Sequence, residues 1–358
     1  MPSLKEIKGR INSISSTLAI TSAMKMVAAA KLQKAQMAIQ NMLPYERRLH
    51  SMLIDLMGAM NISAAASEDG SVRGSGSAER GFDQSGDRLS LSNRHDLAGM
   101  DGAYSLMAQR EVRKVAIVAF ASNSSLCGAF NSNVIREATA VINEYRASGL
   151  GDADITVYSV GRKMAEAMKK LGFPSPADFT KMSDSPSYDA ASALAQELFD
   201  GFVSVRFDKV ELVYNHYKST SSQPTTRQTY LPLSLADATA DIQVGKITDS
   251  ASETDTNRVA EPVGAPVVRQ GSPTTEDLIV EPSKEALIAT LLPKVIRLRI
   301  FTTLLDSAAA EHAARTVAMQ LATDNGNDLL QELTLEYNKG RQQKITSEIL
   351  DLVGGSMQ

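Results

Sequence analysis

The chain has 358 residues, 43% apolar and 22% charged, with a net charge of −4, no tryptophan, 15 methionines and one cysteine. That composition supports a sizeable core and excludes global disorder, a disulfide framework, a multi-cysteine metal site and nucleic-acid binding by the whole surface. No apolar run approaches the roughly 18 residues of a membrane span, and polar residues follow the N-terminal Met1, so neither a spanning helix nor a secretory signal is expected.

Residues 1–60 are predicted to form a coiled-coil helix, its body running over 3–57. Leu4, Ile7, Ile11, Ile14, Leu18, Thr21, Lys25, Ala28, Leu32, Ala35, Ile39 and Met42 recur at alternating spacings of three and four, a heptad seam with polar interruptions at Thr21 and Lys25. Ser3 and Glu6 form a capping-box pattern, and Pro44 is expected to kink or divide the helix. Residues 61–110 change character: Gly and Ser supply 15 of the 42 positions from 64 to 105 and no period is visible, so a flexible insertion is expected.

Residues 111–235 read as an α/β globular domain. Apolar runs at Val112–Phe120, Ile155–Val160 and Val210–Tyr217 are strand-like, Thr229–Leu233 adds an edge strand, and helices are expected near 129–148, 161–171 and 187–203. Residues 236–282 form an acidic insertion: nine carboxylates face Lys246, Arg258 and Arg269. Residues 283–358 return to a coiled-coil helix, capped by Ser283, bent early by Pro293, slim through Ala308, Ala309, Ala310, Ala313, Ala314, Ala318 and Ala322, and closed by Gly354 and Gly355. A second seam is read at Leu335, Asn338, Gln342, Ile345, Ile349 and Leu352.

Neither terminal helix can bury its apolar stripe alone. The expected architecture is therefore of the α/β class: a long antiparallel coiled coil of N- and C-terminal helices plus a Rossmann-like α/β domain at one end. Lys25, Asn338 and Gln342 are polar where a structural zipper carries leucine; they either set register between the helices or face a partner, and spacing does not choose.

Catalytic signals are missing. No Walker A pattern is present, and Gly74-Ser-Gly76 lacks a third glycine and a preceding strand. His50, His95, His216 and His312 have no metal-ligand spacing, and His312 beside Glu311 reads as a polar pair. Cys127 follows a strand, where a nucleophile is conceivable, but a small buried thiol is the simpler reading with no histidine nearby in sequence. The first 50 residues carry eight Lys/Arg against Glu6 and Glu46, which suits a solvated face, nucleic acid or an acidic protein; no aromatic interleaves them before Tyr45, which weakens the nucleic-acid reading.

Three sets of motifs in order resemble the gamma-subunit family of rotary F-type ATP synthases. The first is Ile7-Lys8-Gly-Arg10-Ile11 with Ile20-Thr21-Ser-Ala23-Met24-Lys25-Met26-Val27-Ala28; the second is Leu126-Cys127-Gly128-Ala-Phe130-Asn131. The third is Glu311-His312-Ala-Ala-Arg315, Ala322-Thr323-Asp324-Asn325, Leu335-Glu336-Tyr337-Asn338-Lys339-Gly340-Arg341-Gln342 and Ile345-Thr346-Ser-Glu348-Ile349. The resemblance implies a non-catalytic rotor: one shaft per complex, its terminal helices inside a ring of alpha and beta subunits. The globular domain would lie against the epsilon subunit and the membrane c-ring. The complex would be peripheral on the cytoplasmic face of the bacterial inner membrane, with no cofactor, metal or nucleic acid. Arg341, Gln342 and Thr346 match positions that hydrogen-bond beta-subunit loops, and Met24 and Lys25 are expected to face the same zone from the other helix. Asn123-Ser124-Ser125 departs from the family's Asp-Arg-Gly run, Leu18-Ala19 stands where a lysine is common, Thr316 replaces a usual methionine, and the two insertions look long for the family. The alternatives are a coiled-coil scaffold without rotary role and a small-molecule enzyme using Cys127.

Overall fold

The computed structural model describes residues 3–68, 110–233 and 284–355. The expected cap Ser283, His95 and nearly all of both insertions therefore lie outside the described residues. Helix α1 spans Leu4–Glu68 and helix α6 spans Lys284–Gly355, each about 100 Å long at 1.5 Å per residue. Between them run β1 (Val115–Phe120), α2 (Phe130–Ala147), β2 (Ile155–Val160), α3 (Arg162–Lys170), α4 (Thr180–Asp184), α5 (Tyr188–Val203), β3 (Lys209–Asn215) and β4 (Thr225–Leu231).

The two long helices are antiparallel: Leu4 meets Gly340, Leu18 meets Gly326, Thr21 meets Thr323, and Glu46 meets Thr302. All twelve predicted seam positions on α1 are buried or half-buried. The seam continues beyond Pro44 through Leu49, Leu53 and Leu56, which pack into the globular domain. Pro44 thus does not divide the helix: core burial on both sides offsets the lost hydrogen bond, which costs about 3 kcal/mol in a helix interior. α1 also runs past the expected boundary at residue 60 to Glu68. Only half of the capping box forms. Ser3 Oγ accepts the Glu6 N–H at 3.2 Å, while the Glu6 carboxylate turns to Arg10 at 2.9 Å.

The seam expected on α6 is corrected. Leu335 is 72% exposed and Leu352 75%, and Asn338, Gln342, Ile345 and Ile349 are exposed as well. The face that meets α1 is Met319, Thr323, Gly326, Leu330, Leu333, Tyr337 and Gly340, also spaced four and three. The two rows are offset by two residues, roughly 200° around the helix, so they lie on opposite sides. α1 begins opposite Gly340, and the final turns of α6 continue for about 22 Å without it.

The sheet has order β2-β1-β3-β4, with β1 parallel to β2 and β3, and β4 antiparallel to β3. β1 is buried along its whole length because helices cover both faces. Val134, Ala138 and Val141 of α2 and Met164 and Met168 of α3 pack on one face. On the other lie Leu194 and Leu198 of α5, Leu53 and Leu56 of α1, and Leu292, Ile296 and Ile300 of α6. The shaft helices are thus part of the domain core at one end and leave it at the other. The edge strand is longer than expected, and α4 was not anticipated. β4 is stapled by a buried charge: Glu211 on β3 accepts from Arg227 (2.7 Å) and Tyr145 (2.6 Å) and pairs with Lys209 (2.6 Å). Burial pushes the Glu211 carboxyl up, but these partners outweigh it and hold the carboxyl below its usual range.

At the turn from β2 to α3, Gly161 has φ 97°, and a Cβ there would lie 2.1 Å from the Ala121 carbonyl oxygen. Gly161→Ala is therefore expected to destabilise the chain by more than about 2 kcal/mol, combining left-handed strain with a backbone clash. Urea unfolding checks this; an unchanged midpoint would refute the close approach.

Candidate functional site

Two zones carry side chains that the core does not use: the free faces of the shaft, and the loops at the carboxyl ends of β1, β2 and β3 where the shaft leaves the domain. Among the described residues there is no group of His, Cys, Asp or Glu that could hold a metal ion, and no helix is long and apolar enough to cross a membrane.

On the shaft, the polar seam residues divide. Lys25 is half-buried and donates across the helix pair to Gln320 Oε1 at 2.6 Å; Gln320 donates in turn to the Asp324 carboxylate at 2.8 Å. Lys25 therefore fixes register, as does the 3.1 Å hydrogen bond between the Thr21 and Thr323 hydroxyls. Asn338 and Gln342 face outward. Arg341 and Thr346 are also exposed; Thr346 Oγ1 donates to the Gln342 carbonyl one turn earlier at 2.9 Å, leaving its hydroxyl oxygen free to accept from outside. Arg341, Gln342 and Thr346 thus share the end of α6 that no other described element accompanies. Met24 and Lys25 do not join them: they sit opposite Gln320, about 30 Å back along the shaft. Met24 is half-buried, while its neighbours Met26 and Val27 are largely exposed.

At the base, the loops after β1 and β3 form a collar against the departing helices. In ordinary doubly wound sheets this strand end is where ligands bind; here the alanine-rich turns of α6 occupy it. The small side chains predicted to allow close approach do so on two sides. Ala309 and Ala313 pack on Leu32 of α1, and Ala310 packs on Cys127 and Phe130 of the domain. Tyr217, just after β3, touches both clusters.

Polar contacts complete the collar. Arg315 pairs with Glu311 at 2.8 Å and donates to Ser124 Oγ at 2.7 Å in the loop after β1. The Asp306 carboxylate accepts the Tyr217 N–H at 2.9 Å and meets His216 Nδ1 at 2.6 Å, and Gln36 of α1 donates to the Tyr217 hydroxyl at 2.6 Å. Asn123 donates to the Thr180 carbonyl at 2.7 Å, accepts the Arg162 backbone N–H at 2.7 Å on its side chain, and accepts from the Arg162 guanidinium on its carbonyl at 2.7 Å. Leu18 fills the notch left by Gly326. Thr316 donates to the His312 carbonyl at 2.8 Å. Cys127 is 1% exposed and accepts from Asn131 at 3.2 Å, a packed thiol in a turn. Sequence reasoning missed Gln36, Tyr217 and Asp306, whose contacts join segments 89 and 181 residues apart and leave no local pattern.

Burial pushes the Glu311 carboxyl up against the opposing pull of Arg315. Burial, with Arg315 and Lys31 nearby, pushes the His312 imidazole down to about 4, and its Nδ1 finds no partner among the described residues. His216 moves the other way: Asp306 hydrogen-bonds its charged form and raises it.

Residues 3–357 match the family model described as ATP synthase. The chain is 48% identical to the ATP synthase gamma chain of Phocaeicola vulgatus, covering 100% of both chains. It is 45% identical to that of Bacteroides thetaiotaomicron, again covering 100% of both. Because these relatives align end to end, the two long segments belong to them as well. In a solved central stalk and c-ring of the Tetrahymena thermophila mitochondrial ATP synthase, a chain 18% identical overlays with a TM-score of 0.43, covering 85% of this chain and 99% of that one. An overlay that loose places no residue.

The shift at His312 has a signed consequence. Its folded-state value lies below its ordinary 6.5, so between about 4 and 6.5 the unfolded chain binds more protons and stability rises with pH. The stability difference between the wild type and His312→Gln is expected to rise across that window and to level off above it. Urea unfolding at a series of pH values checks this; a flat difference would show that His312 titrates normally.

Proposed function

The chain belongs to the ATP synthase family as a gamma chain, and we propose that it works as the rotating shaft of the complex through the outward face of its last α6 turns. As a gamma chain it is a non-catalytic subunit of a proton-transporting ATP synthase, and its task is mechanical. The observation that carries the reading is the exposed row Leu335, Ile345, Ile349 and Leu352, in heptad order with Asn338 and Gln342 on a helix that has no sister beyond Gly340 among the described residues. An apolar row of that length in water calls for a partner. A single copy inside a ring of three alpha and three beta subunits supplies one, because a shaft of two unequal helices presents a different face to each beta subunit.

In this account the five domain divisions do separate jobs. The coiled coil of 1–60 and 283–358 reaches into the ring. The 111–235 domain couples to epsilon and the c-ring on the cytoplasmic face of the membrane. The segments 61–110 and 236–282 are accessory. Arg341, Gln342 and Thr346 make hydrogen bonds to beta-subunit loops that hold an angular position and then release it. Met24 and Lys25 act at a second level of the shaft, where Lys25 braces the helix pair and two of its three N–H donors remain for the ring. The scaffold alternative predicts a homodimer of this chain without ring subunits.

A charge-assisted hydrogen bond contributes roughly 1.5–3 kcal/mol, so Arg341→Ala is expected to lower proton-driven ATP synthesis about tenfold or more in reconstituted complex while leaving assembly intact. Synthesis at the wild-type rate would remove Arg341 from the mechanism. Native mass spectrometry of the same preparation gives the copy number, and a free homodimer would favour the scaffold.

A further inference from the structure

Among the described residues, the loop after β3 stands apart within the collar because it hydrogen-bonds both shaft helices at once. His216 and the Tyr217 N–H meet Asp306 on α6, at 2.6 and 2.9 Å, and the Tyr217 hydroxyl accepts from Gln36 on α1 at 2.6 Å. The Tyr217 ring lies between the two small clusters that seat the shaft, Leu32 with Ala309 and Ala313 on one side and Cys127 with Phe130 and Ala310 on the other. The contact sits where α6 passes out of the domain core, just beyond Leu304 and Leu305. Twist entering the shaft from the domain is applied there. Resting on the rotor reading above, we propose that Asp306 is a positioning residue that clamps both shaft helices to the α/β domain, and that protonation of His216 tightens the clamp.

The chemistry follows from one carboxylate serving two donors. Asp306 is largely buried, its side chain 18% exposed, and a buried carboxylate needs its donors. The Tyr217 N–H is permanent; the His216 N–H carries a positive charge only when the ring is protonated, and a charge-assisted hydrogen bond is about twice as strong as a neutral one. The charged groups acting on His216 are Asp306 from α6, which favours the charged ring, and Lys218 in its own loop, which opposes it. The other packed elements are neutral where they meet the loop: α1 presents Gln36, Leu32, Ala35 and Ile39, and the Pro224 carbonyl before β4 accepts the His216 backbone N–H. The folded-state value is raised, so the added grip is complete below about 6.5 and is lost as pH rises through the raised value.

The experiment compares wild type, Asp306→Asn and His216→Gln in complex reconstituted into vesicles. It reads ATP hydrolysis and proton pumping per ATP from mildly acidic to alkaline pH. Asp306→Asn keeps an acceptor for the Tyr217 N–H and removes only the charge. Hydrolysis is expected to stay within about twofold for both variants, while pumping per ATP falls about threefold below wild type at the acidic end and converges with it at the alkaline end, where wild-type His216 has lost its proton. That convergence separates a positioning role from a general loss of stability, which would depress the variants at every pH. Pumping per ATP equal to wild type across the range overturns the proposal. Should Asp306→Asn fail to assemble, His216→Gln decides alone by the same two outcomes. Failure of the rotor reading is distinguishable: the wild-type chain itself would then be absent from the purified ATPase.

Discussion

An isolated helix about 100 Å long has no means of burying an apolar stripe, and this chain begins and ends with one. The rest of the structure depends on the solution: the two ends pair in antiparallel register, and at one end both enter the core of the α/β domain. Leu53 and Leu56 of α1 and Leu292, Ile296 and Ile300 of α6 pack on the same sheet face as α5. The shaft is therefore continuous with the domain's own hydrophobic core. A rotation of the domain must turn the helices, because slippage would expose that core to water.

Above the core the helix pair changes character stepwise. The collar holds it with small side chains and a few polar contacts, the Glu311–Arg315 ion pair and the Asp306–His216 hydrogen bond. Higher still the pair holds itself, with Lys25, Gln320, Thr21 and Thr323 fixing register where leucines would allow sliding. Beyond Gly340 α6 runs on alone among the described residues, its exposed turns carrying Ile345, Ile349 and Leu352 beside Arg341, Gln342 and Thr346. Each zone trades packing for the ability to engage and release something else, a sequence suited to a part that is rigid at its root and interactive at its tip.

Much of this architecture is legible in the residue pattern. The α1 seam predicts the buried face residue by residue because twelve positions at alternating spacings of three and four leave one solution. The continuous apolar run of β1 marks a strand covered on both sides. The α6 seam misleads for a physical reason. The face that meets α1 contains Thr323, Gly326 and Gly340, chosen for close approach, while the more conspicuous leucines and isoleucines point away from it. A second apolar row on one helix signals a second partner, which single-chain reasoning assigns to the first. Pro44 reads as a kink or a division and Pro293 as a bend, and both helices run on through them, since tertiary burial outweighs the local cost. For the sites, resemblance names Arg341, Gln342 and Thr346, and the structure puts them together on exposed turns. It separates Met24 and Lys25 from them, because position along an antiparallel pair depends on register that motif order does not contain. The collar contacts of Gln36, Tyr217 and Asp306 escape sequence reading altogether, being single polar residues joined only by the fold.

The central claim is that this chain turns as one body relative to its surrounding subunits. Single-molecule observation tests it most directly: the catalytic ring is fixed to a surface, a probe is attached at the exposed Lys169–Lys170 end of α3, and ATP is supplied. The account predicts unidirectional, stepwise rotation of the probe that stops when ATP is removed. A probe that stays fixed relative to the ring during steady ATP hydrolysis would contradict it.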